Sequence, residues 1–509
     1  MKKHGRSLFA AAALAAGTSA HAVELMSPTA LVPLHASQEV TSLAMAGDGS
    51  FVAMLQGGET PKVTFQRFDA TGVAVGEQTP VRIGAGARTG GQVGKAASGD
   101  FVTAWNLGAP DTGVAARVFA ANGTPKTTPI EVGIFGGNAA LAVAPNGDFV
   151  VAWTRGGGDI EILARPFAAD GTPKSDFVVV QTDVVAIAAV DVAIADNGDF
   201  AVAFEGYTPT VEDPLYGQGI YLRRFEANGT PKAAESLAFK DDFAASHDPA
   251  IASTADGALM VAWTREAYGP GEPEQVQARC FQADGSPKTD MFTLNKYQFG
   301  PRSHVDVAAT NGNFVATWQA SGQAPVKTST IGQRVAAATC ALNGSEFIAT
   351  PIVGYNQLRP QIGTNRAGDA VIAWNAAAAP TRARLYENAP GKPTVTLVGS
   401  TEDIDEGTKV RVFAQLSKTL AEPVTVEFTI GGTADLGDDF RLGGANLEKL
   451  GPQRYRLTFP AGTRTVSFNM NAFVDAEDDP GEYVTFTLDP ASAPTLAPGP
   501  GIVHATGIF

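Results

Sequence analysis

The chain has 509 residues, of which 37 are Lys or Arg and 52 are Asp or Glu, so its formal net charge is −15 at pH 7. This acidity argues against a basic surface of the kind that holds nucleic acid or an anionic membrane. With 44% hydrophobic residues, 56 Gly and 32 Pro, the composition suits buried cores and many turns. It is unlike that of a helical bundle or a disordered chain and favours many short strands.

Residues 1–22 have the pattern of a secretory signal peptide. Three basic residues precede an apolar segment over 8–16, and Ala-His-Ala at 20–22 resembles a cleavage site. The apolar segment is shorter than the roughly 20 residues that a membrane span requires, and no later stretch qualifies as one. We therefore expect a mature chain that begins at Val23 and is exported to the periplasm, the cell surface or the medium.

A short apolar strand after a Gly-containing turn recurs seven times. The copies begin at Phe51, Phe101, Phe149, Phe200, Leu259, Phe314 and Ala370. All five tryptophans of the chain occupy the fifth position of a copy, which we call the Trp slot; Leu55 and Phe204 fill it in the other two copies. An alternating apolar run precedes each copy, and strand-like runs follow it. Each repeat therefore predicts four antiparallel strands joined by turns such as Asn146-Gly147.

Seven units of four strands and about 50 residues predict a β-propeller. After Trp374 the seventh unit has only its third strand, and residues 30–34 resemble the missing fourth one. We therefore expect this N-terminal segment to complete the seventh sheet and to remove an open sheet edge. The predicted propeller spans residues 23–388.

An Arg or Gln recurs two residues before the aromatic residue, or its equivalent, of the predicted third strands. The set is Gln66, Arg117, Arg165, Arg223, Arg279, Arg334 and Arg384. A cationic ring for an anionic ligand is one interpretation. The favoured one is structural: each Arg bridges to the neighbouring sheet or stacks on its Trp. The longer loops at 208–215 and 268–273 are the best candidates for ligand contacts in the ring.

Residues 389–509 follow a different pattern. The motifs Asp405-Glu-Gly407, Gly432-Thr-Ala434, Gly437-Asp-Asp-Phe440, Leu457-Thr-Phe-Pro-Ala-Gly-Thr463 and Glu482-Tyr-Val-Thr-Phe-Thr-Leu488 resemble the Calx-β family. That resemblance implies an immunoglobulin-like β-sandwich that binds calcium. By resemblance, the calcium ligands are Glu406, Asp439, Asp475, Asp479 and Glu482.

The acidic loop over 475–482 agrees with calcium chemistry, since hard oxygen ligands are what Ca²⁺ prefers. Ala476 stands at one position where the family has an acidic residue. The alternative is an acidic loop that is merely solvated.

Sequence motifs give no catalytic residue. The four histidines after the signal peptide, His35, His247, His304 and His504, have no metal-ligand spacing, and no nucleophile or phosphate-loop motif is present. Whether Cys280 and Cys340 form a disulfide is left open. The favoured hypothesis is a binding or adhesion protein that recognises a protein or carbohydrate ligand on the propeller. The alternative is an exported polysaccharide-active or other hydrolase or lyase, with carboxylates or His residues from several sheets converging in the funnel.

Overall fold

The structure is a computed structural model, and every regular element described in it is a β-strand. It describes residues 27–35, 37–57, 62–81, 88–108, 112–156, 160–181, 184–207, 218–234, 236–240, 245–267, 272–297, 300–310, 312–321, 328–344, 346–349, 356–376, 379–387, 395–399, 403–404, 407, 409–416, 422–461, 463, 465–474, 482–489 and 502–508. None of these residues forms a helix long and apolar enough to cross a membrane. The predicted signal peptide lies outside the described residues.

Residues 27–387 form seven four-stranded antiparallel sheets, numbered here in chain order. Sheet one contains β2 (Glu39–Met45), β3 (Phe51–Gly57), β4 (Lys62–Phe68) and β5 (Ala74–Pro80). Sheet two contains β6 (Arg88–Lys95), β7 (Phe101–Leu107), β8 (Gly113–Phe119) and β9 (Ile130–Ile134). Sheet three contains β10 (Gly137–Val143), β11 (Phe149–Arg155), β12 (Glu161–Phe167) and β13 (Val178–Val179). Sheet four contains β14 (Val185–Ile194), β15 (Phe200–Tyr207), β16 (Gln218–Phe225) and β17 (Ser236–Lys240).

The remaining three sheets of this region follow the same order. Sheet five contains β18 (Ser246–Ser253), β19 (Leu259–Arg265), β20 (Gln275–Phe281) and β21 (Phe292–Thr293). Sheet six contains β22 (Arg302–Ala309), β23 (Asn313–Ser321), β24 (Thr328–Ala336) and β25 (Phe347–Ile348). Sheet seven contains β26 (Gln357–Thr364), β27 (Ala370–Ala376) and β28 (Ala379–Glu387), and its fourth strand is β1 (Ser27–His35) from the other end of the region.

The seven sheets form a closed, propeller-like ring. The first strand of each sheet contacts the first strand of the next, and β26 of sheet seven contacts β2 of sheet one. We call these seven strands the innermost strands. The closing contact includes a buried hydrogen bond of 2.7 Å from the Val40 amide to Asn375 Oδ1.

The Trp slot explains why the sheets pack against each other. Its seven side chains, aromatic or Leu, are at most 1% exposed. Trp153 of sheet three, for example, packs in one core cluster with Val114 and Ala116 of sheet two. The Gly-containing turns fix the hairpins: Gly147 has φ +92°, a conformation that glycine adopts without steric strain.

The predicted closure by residues 30–34 is observed. Strand β1 pairs antiparallel with β28, with Leu31 opposite Arg384 and Val32 opposite Ala383. Val32 and Leu34 are buried in a core cluster shared with sheet one. The fourth strand of sheet seven thus comes from the start of the described chain.

The two cysteines are paired in the structure. Cys280 on β20 and Cys340 after β24 form a disulfide with a Cα–Cα distance of 6.3 Å. Both residues are buried, and the bond joins sheet five to sheet six covalently.

Residues 395–508 form two further sheets. One contains β29 (Val395–Gly399), β31 (Lys409–Leu416), β33 (Phe440–Gly443) and β36 (Thr465–Ala472). The other contains β30 (Asp403–Ile404), β32 (Val424–Gly432), β34 (Leu447–Lys449), β35 (Arg454–Phe459), β37 (Glu482–Asp489) and β38 (Ile502–Ile508). The two sheets share one core, in which Phe428 lies 5.5 Å from Phe468 and 5.7 Å from Phe486 between ring centroids.

Candidate active site

The two faces of the ring differ in their polar groups. Because the sheets repeat the same strand order, all innermost strands begin on one face and end on the other. We call these the start face and the end face. The start face carries the connections that enter each innermost strand, and the end face carries the Gly-containing turns that leave it.

The end face has a central cavity of ≈ 260 Å³. The last residue of every innermost strand lines it: Met45, Lys95, Val143, Ile194, Ser253, Ala309 and Thr364. Arg366 beside sheet seven forms an ion pair with Asp196 beside sheet four. Burial lowers the pKa of Lys95, and its Nζ lies 2.9 Å from Ser50 Oγ. The described charges here are engaged with protein groups.

One position near the middle of the innermost strands, which we call the polar position, is polar in five of the seven sheets. Its residues pair with the residue just before the Trp slot, and they are Ser42, Gln92, Ala140, Asp191, Ala250, Asp306 and Gln361. Asp191 Oδ2 accepts the Ile251 amide of the next sheet at 2.8 Å, and Asp306 Oδ2 accepts the Ile362 amide at 2.8 Å. These two carboxylates link adjacent innermost strands.

Burial raises the pKa of both carboxyl groups. The pKa of Asp191 rises to about 6, because desolvation outweighs its hydrogen bonds to two backbone amides. The pKa of Asp306 rises to about 7, chiefly by desolvation, and the charge of Asp191 raises it further. Both groups therefore titrate near neutral pH.

On the start face, the innermost strands are interrupted by β-bulges. A register shift lies immediately before the polar position in six sheets, which are sheets one, two, three, five, six and seven. In all of these except sheet one, the first residue of the bulge has a left-handed backbone, with φ between +50° and +61°: Gly90, Asn138, Asp248, His304 and Arg359. Bulges re-aim side chains and often lie beside functional sites.

The residue just after the Trp slot normally caps such a bulge. Gln56 Oε1 accepts the Gly90 amide of the next sheet at 2.9 Å, and Gln319 Oε1 accepts the Arg359 amide at 3.2 Å. Asn106 and Asn375 also accept a backbone amide of the next innermost strand, at 3.1 and 2.7 Å. The side chain at this position is thus usually a structural acceptor.

Sheet four departs from this rule. Its residue after the Trp slot is Glu205, which is buried, and Glu205 Oε1 lies 2.8 Å from Nδ1 of His247 on β18. Nε2 of the same ring lies 3.2 Å from Oε1 of Glu266, which follows β19. The imidazole is therefore held between a buried carboxylate and a carboxylate whose side chain is 57% exposed.

The neighbouring bulge residues extend this group. Asp248 Oδ2 accepts the His304 amide at 3.2 Å, which links sheet five to sheet six. His304 Nδ1 is buried and has no hydrogen-bond partner among the described residues. We call Glu205, His247, Asp248, Glu266 and His304 the rim site.

The electrostatics of the rim site favour a protonated imidazole. The hydrogen bond to Glu205 raises the pKa of His247, and the charges of Glu205, Glu266 and Asp248 raise it further against an opposing effect of burial. A raised pKa extends the pH range over which His247 carries a proton that it can donate. A buried carboxylate behind an imidazole also fixes the orientation of the ring, as it does in many acid–base sites.

Sequence reasoning missed this site. In the sequence, His247 is one of four isolated histidines, because its carboxylate partner Glu205 is 42 residues away. One signal was present: the position after the Trp slot carries Gln or Asn in four repeats and Glu only at 205.

The predicted calcium residues are only partly described. Glu406, Asp475 and Asp479 lie outside the described residues, and Glu482 is described only as a backbone position at the start of β37. Asp439 lies in the turn before β33, where its Oδ2 accepts the Asp435 amide. Among the described residues, no group of three or more His, Cys, Asp or Glu side chains is arranged to hold a metal ion. The calcium site therefore stays a prediction.

Four of the repeated arginines, Arg117, Arg165, Arg223 and Arg279, bridge to the preceding sheet, as favoured. Arg223 Nη1 donates to the Val180 carbonyl of the preceding sheet at 2.7 Å, and Arg279 Nη1 donates to the Ala238 carbonyl at 3.2 Å. The expected stacking on the Trp is wrong in four repeats. Arg117, Arg165, Arg223 and Arg279 lie 5.4–5.7 Å over the Phe two residues later, because that Phe shares the arginine's side of the strand.

The loops predicted to contact a ligand join the second and third strands of sheets four and five. Residues 208–215 and most of 268–273 lie outside the described residues. The described end of the second loop includes Glu272, whose Oε2 lies 3.9 Å from Arg265.

No family model matches the chain, and no curated protein matches it in sequence. Solved structures similar to it are β-propeller-like. One is a polysaccharide lyase of family PL25, an ulvan lyase (11% identity, 70% of this chain and 96% of that chain covered, TM-score 0.48). Others are the β-propeller domain of the Trilobed protease from Pyrococcus furiosus (8%, 70% and 95%, 0.43) and an endo-arabinase from Bacteroides thetaiotaomicron (12%, 60% and 96%, 0.33). Likeness at these identities concerns the arrangement of sheets and specifies no activity.

Proposed function

We propose that the chain is an exported carbohydrate-active enzyme, a hydrolase or lyase, whose active site is the rim site of a seven-bladed β-propeller. The observation that supports this best is His247, held between Glu205 and Glu266 at the start face. Cleavage of a glycosidic bond needs a proton donor for the leaving oxygen and a carboxylate base, and it needs no Ser or Cys nucleophile. The alternative function drawn from the sequence is therefore now preferred over the binding platform.

Each residue has a distinct role in this proposal. Protonated His247 donates a proton to the leaving glycosidic oxygen. Glu205 is a positioning residue, since its buried carboxylate accepts the Nδ1–H and keeps the imidazole charged. Glu266 is the exposed carboxylate that accepts the proton from the carbon beside a uronate carboxylate in elimination. The 3.2 Å between His247 Nε2 and Glu266 Oε1 suits this step better than inverting hydrolysis, in which acid and base stand roughly 6.5–9.5 Å apart on opposite faces of the sugar.

The proposed chain has three regions. Residues 1–22 are a signal peptide, residues 23–388 the propeller, and residues 389–509 a Calx-β-like sandwich. The two sheets around one core and the Calx-β motifs support the last assignment. Glu406, Asp439, Asp475, Asp479 and Glu482 are proposed calcium ligands that stiffen this second region.

The test is an activity screen of the full chain on neutral and uronate-containing polysaccharides. New reducing ends report hydrolysis, and the ultraviolet absorbance of an unsaturated uronate reports elimination. We expect activity in the wild type and a loss of at least about 100-fold in His247→Ala, the scale of a general acid. Glu205→Gln should lower kcat and move the pH profile to lower pH, because the imidazole loses the partner that raises its pKa.

Glu161→Gln is the matched control. Glu161 pairs with Arg155 across the corresponding hairpin of sheet three, with Oε2 2.6 Å from Nη2, and this ion pair is outside the rim site. It should keep wild-type activity and pH profile. Saturable binding of a polysaccharide without turnover would instead support the binding-platform hypothesis. Full activity in His247→Ala would contradict the proposed site.

A further inference from the structure

Four bulky or polar residues on the start face hold a left-handed backbone that glycine would adopt more easily. Six described non-Gly residues have positive φ: Phe135, Asn138, Asp248, His304, Cys340 and Arg359. Cys340 belongs to the disulfide turn, and the Asp248 carboxylate holds the His304 amide. The other four lie at the beginnings of innermost strands, with Phe135 two residues before β10.

Sheet two shows that the fold needs no side chain at the bulge. Gly90 occupies the position with φ +61°, and its amide is held by Gln56. Arg359 has φ +50°, and its amide is held in the same way by Gln319. Glycine adopts this conformation freely, and Asn and His adopt it more readily than most residues, whereas Phe and Arg are strained in it.

The contacts of these side chains do not account for the strain. Phe135 is 64% exposed and Asn138 is exposed. The Arg359 side chain is 60% exposed, and its ion pair with Glu39 is 3.9 Å long. His304 carries a buried Nδ1 that has no hydrogen-bond partner among the described residues. Strained residues that are not explained by packing cluster at functional sites.

We infer that Phe135, Asn138, His304 and Arg359 are sugar-contacting residues of the start face; this inference rests on the proposed function. A pyranose ring has an apolar face, which the exposed Phe135 ring fits, and a hydroxylated edge. The Asn138 amide and the His304 imidazole bond hydroxyl groups. The Arg359 guanidinium donates two parallel hydrogen bonds to a carboxylate or sulfate and selects anionic sugars.

The test replaces each residue singly by glycine in the full chain. Phe135→Gly, Asn138→Gly, His304→Gly and Arg359→Gly should leave Tm unchanged or raise it, because the strain is removed. Each should weaken turnover, or affinity for the polysaccharides that the wild type binds, by about tenfold or more. For Arg359→Gly the loss should be confined to uronate-containing or sulfated polysaccharides, and a neutral polysaccharide serves as its comparison.

Asn122→Gly is the control for the introduction of glycine as such. Asn122 is exposed in an end-face turn, where its Oδ1 accepts the Thr124 amide at 2.9 Å. It should keep wild-type turnover.

Glycine variants with a lowered Tm and wild-type turnover would overturn the inference, since the side chains would then be structural. If the wild type neither binds nor cleaves any polysaccharide of the panel, the proposed function fails, and the inference of sugar contacts fails with it. If binding or turnover is present but the four variants retain it, the inference alone fails.

Discussion

The repeat region and the C-terminal region bury their cores in different ways. Residues 27–387 repeat one four-stranded sheet seven times. The cores of this region lie between neighbouring sheets, and the buried side chain of the Trp slot recurs in them. Residues 395–508 have two sheets of unequal size around a single core, with Phe428 at its centre. In the repeat region, a residue can therefore be compared with six equivalents, among which Glu205 is the only carboxylate. The C-terminal region offers no internal standard, and its residues must be judged by chemistry alone.

Removal of the disulfide should have the largest effect and should touch the repeat region only. Cys280→Ala with Cys340→Ala removes a link between sheets five and six that spans 60 positions of sequence. Disulfides of native proteins contribute about 2–5 kcal/mol to the free energy of unfolding. We expect the repeat region to unfold at lower urea concentration in this variant, as followed by Trp fluorescence, because all five tryptophans lie in that region.

The C-terminal region holds neither cysteine, so it serves as the reference. The C-terminal region should unfold at the same urea midpoint in the variant as in the wild type, as followed by hydrogen exchange of its backbone amides. An equal shift of both signals would show that the two regions unfold as one unit and would contradict their independence.

The stability of the repeat region should fall as pH rises from about 5 to 8. The folded-state pKa values of Asp191 and Asp306, about 6 and about 7, lie above the ordinary value of 3.8. Their protonated forms therefore favour folding, with the full effect below about pH 4, and this stabilisation is lost as pH rises through the folded pKa values. The expected change is on the order of 4 kcal/mol, measured as urea unfolding across this pH range.

Asp306→Asn removes one of the two titrating groups and retains an oxygen that can accept the Ile362 amide. Its unfolding free energy should depend less steeply on pH than that of the wild type. The protonation of His247 has the same sign, since its folded-state pKa is also raised. An undiminished slope in Asp306→Asn would assign the pH dependence to other groups.

Calcium should have the smallest effect, and it should act on the C-terminal region only. If the proposed ligands bind the ion, calcium at tenfold above its Kd adds about 1.4 kcal/mol to the unfolding free energy of this region. Thermal melting and calorimetry of the full chain test this, beside a variant with Asp479→Ala and Glu482→Ala. A wild type without saturable binding at millimolar calcium would contradict the proposal and leave the acidic loop as a solvated one.

Most of what could be predicted about the fold came from the sevenfold sequence repeat. The Trp slot fixed the number and order of strands between residues 39 and 387, and the incomplete seventh repeat predicted the role of residues 30–34. These features could be predicted because they are periodic: equivalent positions are buried in every repeat, and burial requires the same apolar residue types there. The disulfide was not predictable, because it depends on the distance between two sheets and not on spacing in the chain.

The candidate site could not be predicted, because its positions have no periodic residue pattern. The bulge positions hold Gly90, Asn138, Asp248, His304 and Arg359, which share a backbone conformation and no residue type. A bulge adds one residue to one strand and leaves no mark in a pattern of apolar alternation. His247 and Glu205 come from adjacent sheets, so their contact depends on how sheet five packs against sheet four, which residue spacing does not give.

The pairing of β1 with β28 also governs when the ring can form. Leu31 of β1 and its partner Arg384 of β28 are 353 positions apart (384 − 31), so they meet only after almost all of the repeat region has been synthesised. Contacts of such high sequence separation slow folding, because a long loop must close before they form. Until then, β28 is an unpaired edge that can recruit a strand from another chain. A truncation that removes residues 27–35 would leave this edge open permanently, and the aggregation state of the protein therefore depends on an N-terminal segment of nine residues.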